Sequence, residues 1–380
     1  MYRTAIGPLG VLFLVLGGCN PGADPAPPSE SDLAAAAAAT LAHDAPAFRY
    51  VGRVDPGTPA GATALVGAAS YVEFEFRGDT LYLGLGAAEK FGGYTWAIVE
   101  LDGAYAGRHR IERSRDRPLA LASPRPREWV RARVHHGAEP LFSHLAFRGA
   151  RADSLRAPRE RPARTVAFFG DSMSSGAASD TTAGPCGREH ANANAYLAFP
   201  ARVGRAVGAD YVVHSASGRG LYTNWNGQEP PLPALLPHLY LDTASAKTYD
   251  MAADPLDAAV VVLGANDVNH APELRPAFDS ARFERAYLTF VAGLAADYPT
   301  LRLLLVDSPM HGGDTGALLG RIIERVAQQA RRAHPGMEIA THRVPAEPLH
   351  GCPAGPHPSV DDHARIAEGI VGKLRALLAG

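Results

Sequence analysis

A serine-containing turn follows an apolar run in the second half of the chain. The run Thr165–Phe169 leads directly into Gly170, Asp171 and Ser172. Glycine permits a sharp turn out of a strand, so Ser172 would stand at the strand's carboxyl end, with its backbone N–H directed where an oxyanion forms. A serine there can act as a nucleophile if a base removes its proton. Serine is also a common helix cap, so this block alone does not distinguish a nucleophile from a cap.

Three further blocks supply what such a nucleophile needs. They are His214–Gly218 after the second predicted strand, Gly264–Asp267 after the third, and Pro356–Ser359 before the last predicted helix. His357 can serve as the base, because imidazole titrates near neutral pH. The pattern therefore predicts nucleophilic catalysis on an acyl group.

A tetrahedral intermediate also needs fixed hydrogen-bond donors for its oxyanion. The backbone N–H groups of Ser172 and Gly218, together with the side-chain amide of Asn266, provide three. Asn266 and Gly218 are also common turn residues, and for Gly218 the structural and the catalytic roles are compatible. We expect these three donors to form an oxyanion hole.

In this order the four blocks resemble those of the SGNH, or GDS-type, hydrolases, over residues 164–380. The resemblance implies a flavodoxin-like α/β fold and ester hydrolysis through an acyl-enzyme on Ser172, without a cofactor. Many members carry an aspartate three residues before the histidine, where this chain has Ala354. We therefore predict a Ser-His dyad whose His357 is oriented by a backbone carbonyl; an acid from elsewhere, such as Asp361, is the alternative.

Two local stretches narrow the resemblance. Asn194–Pro200 and Ser217–Tyr222 are similar to segments of carbohydrate esterase family 2, whose members also place a β-sandwich before the hydrolase domain. This resemblance implies removal of acetyl groups from a polysaccharide such as xylan or glucomannan, often at the primary 6-hydroxyl. A fold does not fix a substrate, so the polysaccharide is implied by the family resemblance alone.

Two aromatic residues follow Gly218 closely. Sugar rings pack their apolar faces on aromatic rings, so Tyr222 and Trp225 are candidate substrate contacts near the oxyanion hole. The alternative is that both rings only pack the loop.

The elements that must position these blocks follow from hydrophobic spacing. Short apolar runs alternate with segments of helical periodicity, which predicts a parallel sheet with helices on both faces. Ligands of such sheets bind at the carboxyl ends of the strands, where the blocks fall. The predicted strands are Thr165–Phe169, Tyr211–Val213, Ala258–Leu263 and Leu301–Val306, and the predicted helices are 193–207, 283–294, 316–333 and 359–378.

Residues 47–150 have a different pattern. Tyr71–Phe76 and Trp129–Val134 alternate between apolar and polar residues, and Arg77–Asp79 has turn composition. Six to nine short strands separated by turns predict an all-β, jelly-roll-like sandwich. Residues 151–163 are rich in Arg, Pro and Ala and are predicted to form a linker.

The first 46 residues predict export. A short apolar stretch over 7–17 is too short to span a bilayer but matches a signal peptide, and Leu16–Cys19 resembles a bacterial lipobox. That resemblance implies cleavage before Cys19 and its lipidation, with the protein on the outer membrane, the cell surface or in the periplasm. The alternative is a plain secretory signal with an incidental cysteine. Residues 20–46, rich in Ala, Pro, Asp and Ser, are predicted to be a flexible tether.

Two cysteines remain once Cys19 is set apart. Cys186 and Cys352 both lie near proposed catalytic blocks, and in an oxidising compartment they can pair. Such a disulfide would hold the loop that carries His357; two separate buried thiols are the alternative.

Composition excludes several classes of function. The formal net charge is -2 and there is no long basic run, so a nucleic-acid partner is not expected. The histidines have no metal-ligand spacing, and we predict neither a metal nor a cofactor. The membrane is expected to be contacted only through the lipid anchor.

Two rival functions remain. One is another SGNH activity, either deacetylation of peptidoglycan or lipase-like cleavage, the first being favoured by a lipid anchor. The other is an inactive carbohydrate-binding surface lipoprotein, which the alanine at position 354 favours and the intact Ser172, Asn266 and His357 oppose.

Overall fold

The computed structural model describes residues 39–58, 61–89, 93–113, 117–182, 186–187, 190–268, 273, 277–345, 347–352 and 357–379. The predicted signal peptide with Cys19, most of the predicted tether, and Ala354 lie outside these residues. Within them, no helix has the length and apolar character needed to cross a membrane.

Alternating residues fold the first part of the chain into two antiparallel six-stranded sheets. One sheet has the order β3-β4-β11-β6-β9 with β1 beside β11, and the other has the order β12-β5-β10-β7-β8 with β2 beside β5. The predicted sandwich is confirmed. Its strands are β1 Ala39–Ala42, β2 Arg49–Val51, β3 Val54–Thr58, β4 Ala62–Leu65, β5 Tyr71–Arg77, β6 Thr80–Glu89, β7 Tyr94–Leu101, β8 Ala104–Glu112, β9 Leu119–Ala122, β10 Val130–His136, β11 Ser143–Ala152 and β12 Ser154–Arg156.

Strand β5 shows how the sandwich is built into the rest of the molecule. Val72, Phe74 and Phe76 point into the sandwich core, as their period of two requires. Tyr71 and Glu73 occupy the opposite face and are also buried, because that face packs against the second layer of the chain. In β5 the alternation of apolar and polar residues therefore accompanies a contact between the two layers and not a surface exposed to solvent.

The second layer is a five-stranded parallel sheet of order β14-β13-β15-β16-β17, the flavodoxin-like order. Helices α4 and α5 cover one face, and α1 and α6 cover the other. The predicted α/β fold is confirmed. The strands are β13 Thr165–Gly170, β14 Asp210–Ser215, β15 Ala258–Val262, β16 Arg302–Val306 and β17 Glu338–His342, and the helices are α1 Phe199–Ala206, α2 Leu232–Leu235, α3 Ala265–Val268, α4 Ser280–Asp297, α5 Gly313–Ala333 and α6 Val360–Ala379.

Two elements of this layer differ from expectation. The helix predicted over 193–207 begins at Phe199, because Pro200 fits only the first turn of a helix and the residues before it form turns. Strand β17 was not predicted, since it is an edge strand with one fully buried residue, Ile339, and carries little apolar signal.

The boundaries of the sandwich also need correction. Residues 39–42 were assigned to the tether, but they pair with β11 in the register Ala39↔Ala152. Residues 151–156 were assigned to the linker, but they belong to the end of β11 and to β12. These edges are formed by backbone pairing and bring few apolar side chains to the core, among them Leu41 and Leu155, so composition misses them. Residues 38–380 form one compact unit.

Candidate active site

The serine turn lies where parallel strands present their ligands. Gly170 ends β13, and a Cβ there would lie 1.9 Å from the Oγ of Ser174, so the turn requires glycine. Consecutive turns follow; in one, the N–H of Ala177 donates to the carbonyl of Ser172 at 3.0 Å. These turns hold Ser172 at the carboxyl end of β13, between β14 and β15.

The ring of His357 faces this serine. Its Nε2 lies 2.8 Å from the Oγ of Ser172, and each of the two residues is 6% exposed. The carbonyl of His357 accepts a hydrogen bond from the N–H of Gly351 at 2.9 Å, which fixes the loop before α6. A base at this distance can take the hydroxyl proton. Asp361, the alternative acid, is exposed in the first turn of α6.

A disulfide holds the histidine loop against the nucleophile turn. Cys186 and Cys352 are bonded, with their Cα atoms 5.2 Å apart. The N–H of Cys352 also donates to the carbonyl of Ala178 at 2.8 Å. One covalent bond and one backbone hydrogen bond thus connect the segments that carry Ser172 and His357.

Gly218 lies in the loop after β14 with a positive φ of 75°. A Cβ there would lie 2.5 Å from Cδ1 of Trp225, so the indole packs directly on the glycine. The N–H of Trp225 donates to the carbonyl of Gly218 at 3.1 Å. Trp225 is 44% exposed, so the structure puts an accessible aromatic ring next to this candidate oxyanion donor.

Asn266 occupies α3, directly after β15. Its Nδ2 donates to Oδ2 of Asp171 at 3.2 Å and to the carbonyl of Arg219 at 3.0 Å. The amide therefore lies between the nucleophile turn and the loop of Gly218. In this arrangement the two hydrogens of the amide face these two oxygens.

The carboxyl of Asp171 is buried beneath the turn. Its Oδ1 accepts a hydrogen bond from the N–H of Met173 at 3.0 Å. Burial, with a smaller contribution from the charge of Asp267, raises the pKa of Asp171 from 3.8 to about 7, against the opposing effect of the Met173 bond. Asp171 therefore supports its own turn.

Asp267 organises the loop after Gly218 in the same manner. Its carboxylate accepts from the backbone N–H groups of Leu221 at 2.8 Å, Tyr222 at 2.8 Å and Thr223 at 3.2 Å. Three backbone donors on one buried carboxylate fix the loop that carries the proposed oxyanion and sugar contacts.

Tyr222 does not face the site. It is 9% exposed, packs in the core beside Phe283, and its hydroxyl accepts from the N–H of Asp279 at 3.0 Å. The hydrogen bonds that Asp267 accepts from the backbone turn this part of the loop inward, which sequence spacing does not reveal. The predicted substrate contact of Tyr222 is corrected to a packing role.

His214, within the second block, is a neutral packing residue. Nε of Arg53 donates to its Nδ1 at 2.9 Å, so that nitrogen carries no proton. Burial and the charge of Arg53 lower the pKa of His214 well below its usual value. Among the residues described, no cluster of three or more His, Cys, Asp or Glu side chains suited to a metal ion is present.

Sequence reasoning missed one residue of the site. Glu139 lies in the sandwich, between β10 and β11, and is 1% exposed. Its Oε2 accepts from the N–H of Ser217 at 2.7 Å, one residue before Gly218. Residue 139 belongs to no motif, so nothing in the sequence pointed to this contact.

The fold thus brings together Ser172 at the end of β13, His357 with its Nε2 2.8 Å from the Ser172 Oγ, and the amide of Asn266 across the loop. Residues 168–370 match the model of the GDSL-like lipase/acylhydrolase family. The chain belongs to this family. The resemblance to GDS-type hydrolases is thereby confirmed, and the matched range contains all four sequence blocks.

A curated relative shares just over half of this chain. An acetylxylan esterase/glucomannan deacetylase of Cellvibrio japonicus is 27% identical over 222 residues, which cover 57% of this chain and 58% of that protein. The matched part is thus less than two-thirds of that relative's length.

Solved structures share the whole two-layer architecture. A family two carbohydrate esterase from Cellvibrio japonicus has a TM-score of 0.75 at 21% identity, over 90% of this chain and 98% of that one. A carbohydrate esterase family 2 enzyme from Corynascus thermopiles (Myceliophthora fergusii) has a TM-score of 0.74 at 22% identity, over 88% and 100%. At this identity the likeness establishes the fold.

Proposed function

We propose that this protein is a serine carbohydrate esterase that removes O-acetyl groups from a polysaccharide of the xylan or glucomannan type. The observation that carries the proposal is the 2.8 Å contact between Ser172 Oγ and His357 Nε2 at the carboxyl end of β13. The acetylxylan-esterase relative supports the choice of the acetyl ester.

The proposed reaction has two halves. His357 Nε2 takes the hydroxyl proton while Ser172 Oγ attacks the acetyl carbonyl carbon, which gives a tetrahedral oxyanion. The intermediate collapses, the C–O bond to the sugar breaks, and His357 returns the proton to the leaving sugar oxygen. A water molecule, deprotonated by His357, then attacks the acetyl-serine, and collapse of the second intermediate releases acetate and restores the Ser172 hydroxyl.

Three donors would stabilise the oxyanion. We assign the backbone N–H groups of Ser172 and Gly218 and Nδ2 of Asn266. The amide of Asn266 now donates to Asp171 and to the carbonyl of Arg219, so one of its hydrogens has to turn toward the oxyanion when that charge forms. Its bond to Asp171, the longer of the two at 3.2 Å, is the one we expect to be exchanged.

The base is proposed to work as part of a dyad. The position three residues before His357 is Ala354, which has no carboxyl group. We propose that a backbone carbonyl sets the ring's orientation, helped by the Gly351 bond and the Cys186–Cys352 disulfide, which fix the loop. Without an acid to stabilise the imidazolium, the dyad is expected to be slower than a triad.

Substrate contact is assigned to Trp225. Its half-exposed indole packs on Gly218, so a sugar ring stacked on it would place its acetyl group near the oxyanion donors. We further propose that the protein is exported and held at a membrane through a lipid on Cys19, which would bring the site to extracytoplasmic polysaccharide.

The test is acetate release from acetylated xylan, acetylated glucomannan and O-acetylated peptidoglycan. The purified protein is compared with Ser172→Ala and with Thr300→Ala, which removes an exposed hydroxyl far along the chain from the site. We expect release from a plant-type polysaccharide, lost about 1000-fold or more in Ser172→Ala and kept in Thr300→Ala.

Two other outcomes are decisive. Release from peptidoglycan alone would keep the mechanism and replace the substrate with a cell-wall polymer. No release from any of the three, and none from a nitrophenyl acetate, would overturn the esterase proposal and leave a carbohydrate-binding surface protein.

A further inference from the structure

One loop of the sandwich reaches into the active-site layer. We call residues 137–142, between β10 and β11, the clamp loop. Its first residue is tied to both layers: the N–H of Gly137 donates to the carbonyl of Trp96 in β7 at 2.8 Å, and the carbonyl of Gly137 accepts from the N–H of Ala195 at 3.1 Å. Leu141 packs against the hydrophobic core beneath the parallel sheet.

The clamp loop carries Glu139 to the two segments that make up the site. Its Oε2 accepts from the N–H of Ser217 at 2.7 Å and from the hydroxyl of Ser175 at 2.9 Å. Ser217 immediately precedes Gly218, and Ser175 follows Ser172 by three residues. A single carboxylate oxygen therefore joins the oxyanion loop to the nucleophile turn.

A second serine extends this connection. The Oγ of Ser175 also lies 2.8 Å from the Oγ of Ser215, the last residue of β14. A carboxylate only accepts, and the Oε2 of Glu139 at 2.9 Å is nearer to the Ser175 hydroxyl than its other acceptor, the carbonyl of Asp171 at 3.3 Å, so Ser175 donates to Glu139 and accepts from Ser215. Ser215 thus donates to Ser175, and Ser175 donates to Glu139.

We propose that Glu139 is a positioning residue that holds the N–H of Gly218 at the correct distance from the Ser172 oxyanion, so that the sandwich completes the catalytic site. This inference rests on the esterase function proposed above. Glu139 touches neither the substrate nor the reacting atoms; it acts through Ser217 and Ser175.

The rate of the reaction depends on how well the donors of the oxyanion hole are aligned. An oxyanion hole works because its donors are already in place, and a misplacement of about 1 Å can cost about 100-fold in rate. Gly218 sits in a loop, and a loop has no ladder of backbone bonds to set its position. A buried carboxylate is costly to desolvate, and charge-assisted bonds from fixed donors offset that cost and give a rigid link.

The test compares three substitutions at one position. Glu139→Gln keeps the length and can still accept both bonds, Glu139→Asp keeps the charge but is one methylene too short, and Glu139→Ala removes the acceptor. Glu75→Gln and Glu75→Asp are matched controls, because Glu75 pairs with Arg156 inside the sandwich. Reactive sites are counted by complete labelling with a fluorophosphonate, so that kcat refers to folded enzyme only.

A positioning role predicts that kcat for acetyl-ester hydrolysis falls in the order Gln, Asp, Ala. We expect losses within about 5-fold for Gln, about 10-fold for Asp and about 10- to 100-fold for Ala, with KM changed less than about 3-fold, since the lost contact acts only in the transition state. The Glu75 variants should keep the parental kcat.

Three results would overturn the inference. They are parental kcat per labelled site in Glu139→Asp and Glu139→Ala, a loss that appears only in KM, or an Asp variant more active than the Gln variant. If Glu139→Ala does not fold, the order of Gln and Asp decides. If the parent releases no acetyl group, the proposed function fails by itself, and the rate of fluorophosphonate labelling, which forms the same oxyanion, still tests Glu139.

Discussion

Beneath Ser172, a buried carboxyl makes the turn sensitive to pH. Asp171 accepts from the N–H of Met173 and from the amide of Asn266, yet burial raises its pKa to about 7. Near neutral pH the protonated and the ionised forms of Asp171 are therefore both populated. Its protonation would remove a charge-assisted acceptor from Asn266 and leave that amide more available to an oxyanion.

The stability of the turn should follow this titration. A carboxyl whose folded pKa lies above its unfolded value of 3.8 binds more protons in the folded state, so stability falls as pH rises from about 4 to about 7. We expect the free energy of unfolding of the parent to decrease over that range relative to Asp171→Asn, by an amount on the order of a few kcal/mol.

Urea unfolding of both proteins at a series of pH values measures this difference. Asp297→Asn, in the last turn of α4, serves as the control for loss of one carboxyl. A parent-minus-variant difference that is flat between pH 4 and 7 would show that Asp171 ionises normally.

The amide of Asn266 is expected to act on the transition state. Asn266→Ala should lower kcat about 100- to 1000-fold with little change in KM, because one oxyanion donor is lost. Gln228→Ala, at an exposed amide in the loop after Gly218, should leave both constants unchanged. Steady-state kinetics on a nitrophenyl acetate gives both values; a change confined to KM would speak against an oxyanion role.

At the scale of elements, the proposed catalytic positions could be located in the sequence because they follow or precede strongly patterned segments. Ser172, Gly218 and Asn266 each follow an apolar strand, and the ends of parallel strands meet at one edge of the sheet. The local sequence does not indicate the direction in which a loop side chain points. Tyr222 and Trp225 share one loop, yet Tyr222, whose N–H donates to Asp267, is buried, and Trp225 is 44% exposed.

Glu139 and the sheet edges escaped prediction for a related reason. Glu139 acts through bonds to residues 36 and 78 positions away, which no spacing encodes. Strands β1 and β12 are short, and backbone pairing to β11 and β5, not side-chain pattern, specifies them.

The disulfide is the element-scale feature with the clearest consequence. Replacing both Cys186 and Cys352 with alanine frees the loop that carries His357. We expect the free energy of unfolding to fall by about 2 to 5 kcal/mol and kcat to fall as well, since His357 is held less firmly. Chemical denaturation and kinetics of the double variant, compared with the reduced parent, measure both; unchanged stability and kcat would show that the loop does not depend on the bond.

At the scale of the whole molecule, buried ions join the sandwich to the parallel sheet. Arg49 donates to Glu73 in the sandwich at 2.8 Å and to Asp210 in β14 at 2.6 Å. Burial opposes ionisation of Glu73, but the charges of Arg133 and Arg49 outweigh it and lower its pKa. Breaking such a buried pair is costly, so the two layers should depend on each other.

Arg53 makes a second connection. It is fully buried, and besides His214 it donates to the carbonyls of His238 and Leu236, both at 2.8 Å. Every one of these partners lies in the hydrolase layer, while Arg53 itself belongs to the sandwich. Its guanidinium would be left without acceptors if the layers separated.

Unfolding should accordingly be a single cooperative event. We expect one calorimetric transition for the protein. Arg53→Met keeps the apolar length of the side chain but removes the donor of the hydrogen bonds to His214, His238 and Leu236, so it should unfold in one transition at a lower midpoint. Arg113→Met, on the sandwich near the end of β8, is the control for removal of an arginine charge away from this interface. Two separated transitions in the parent would mean that the layers fold independently.

The central claim is that Ser172 becomes acetylated during turnover. The most direct measurement is rapid acid quenching of the protein with a nitrophenyl acetate, followed by peptide mass spectrometry. We expect one added acetyl group on the peptide that contains Ser172, formed at least as fast as acetate is released and missing in Ser172→Ala. Acetate release without an acetyl group on Ser172, or release that persists in Ser172→Ala, would show that Ser172 is not the nucleophile.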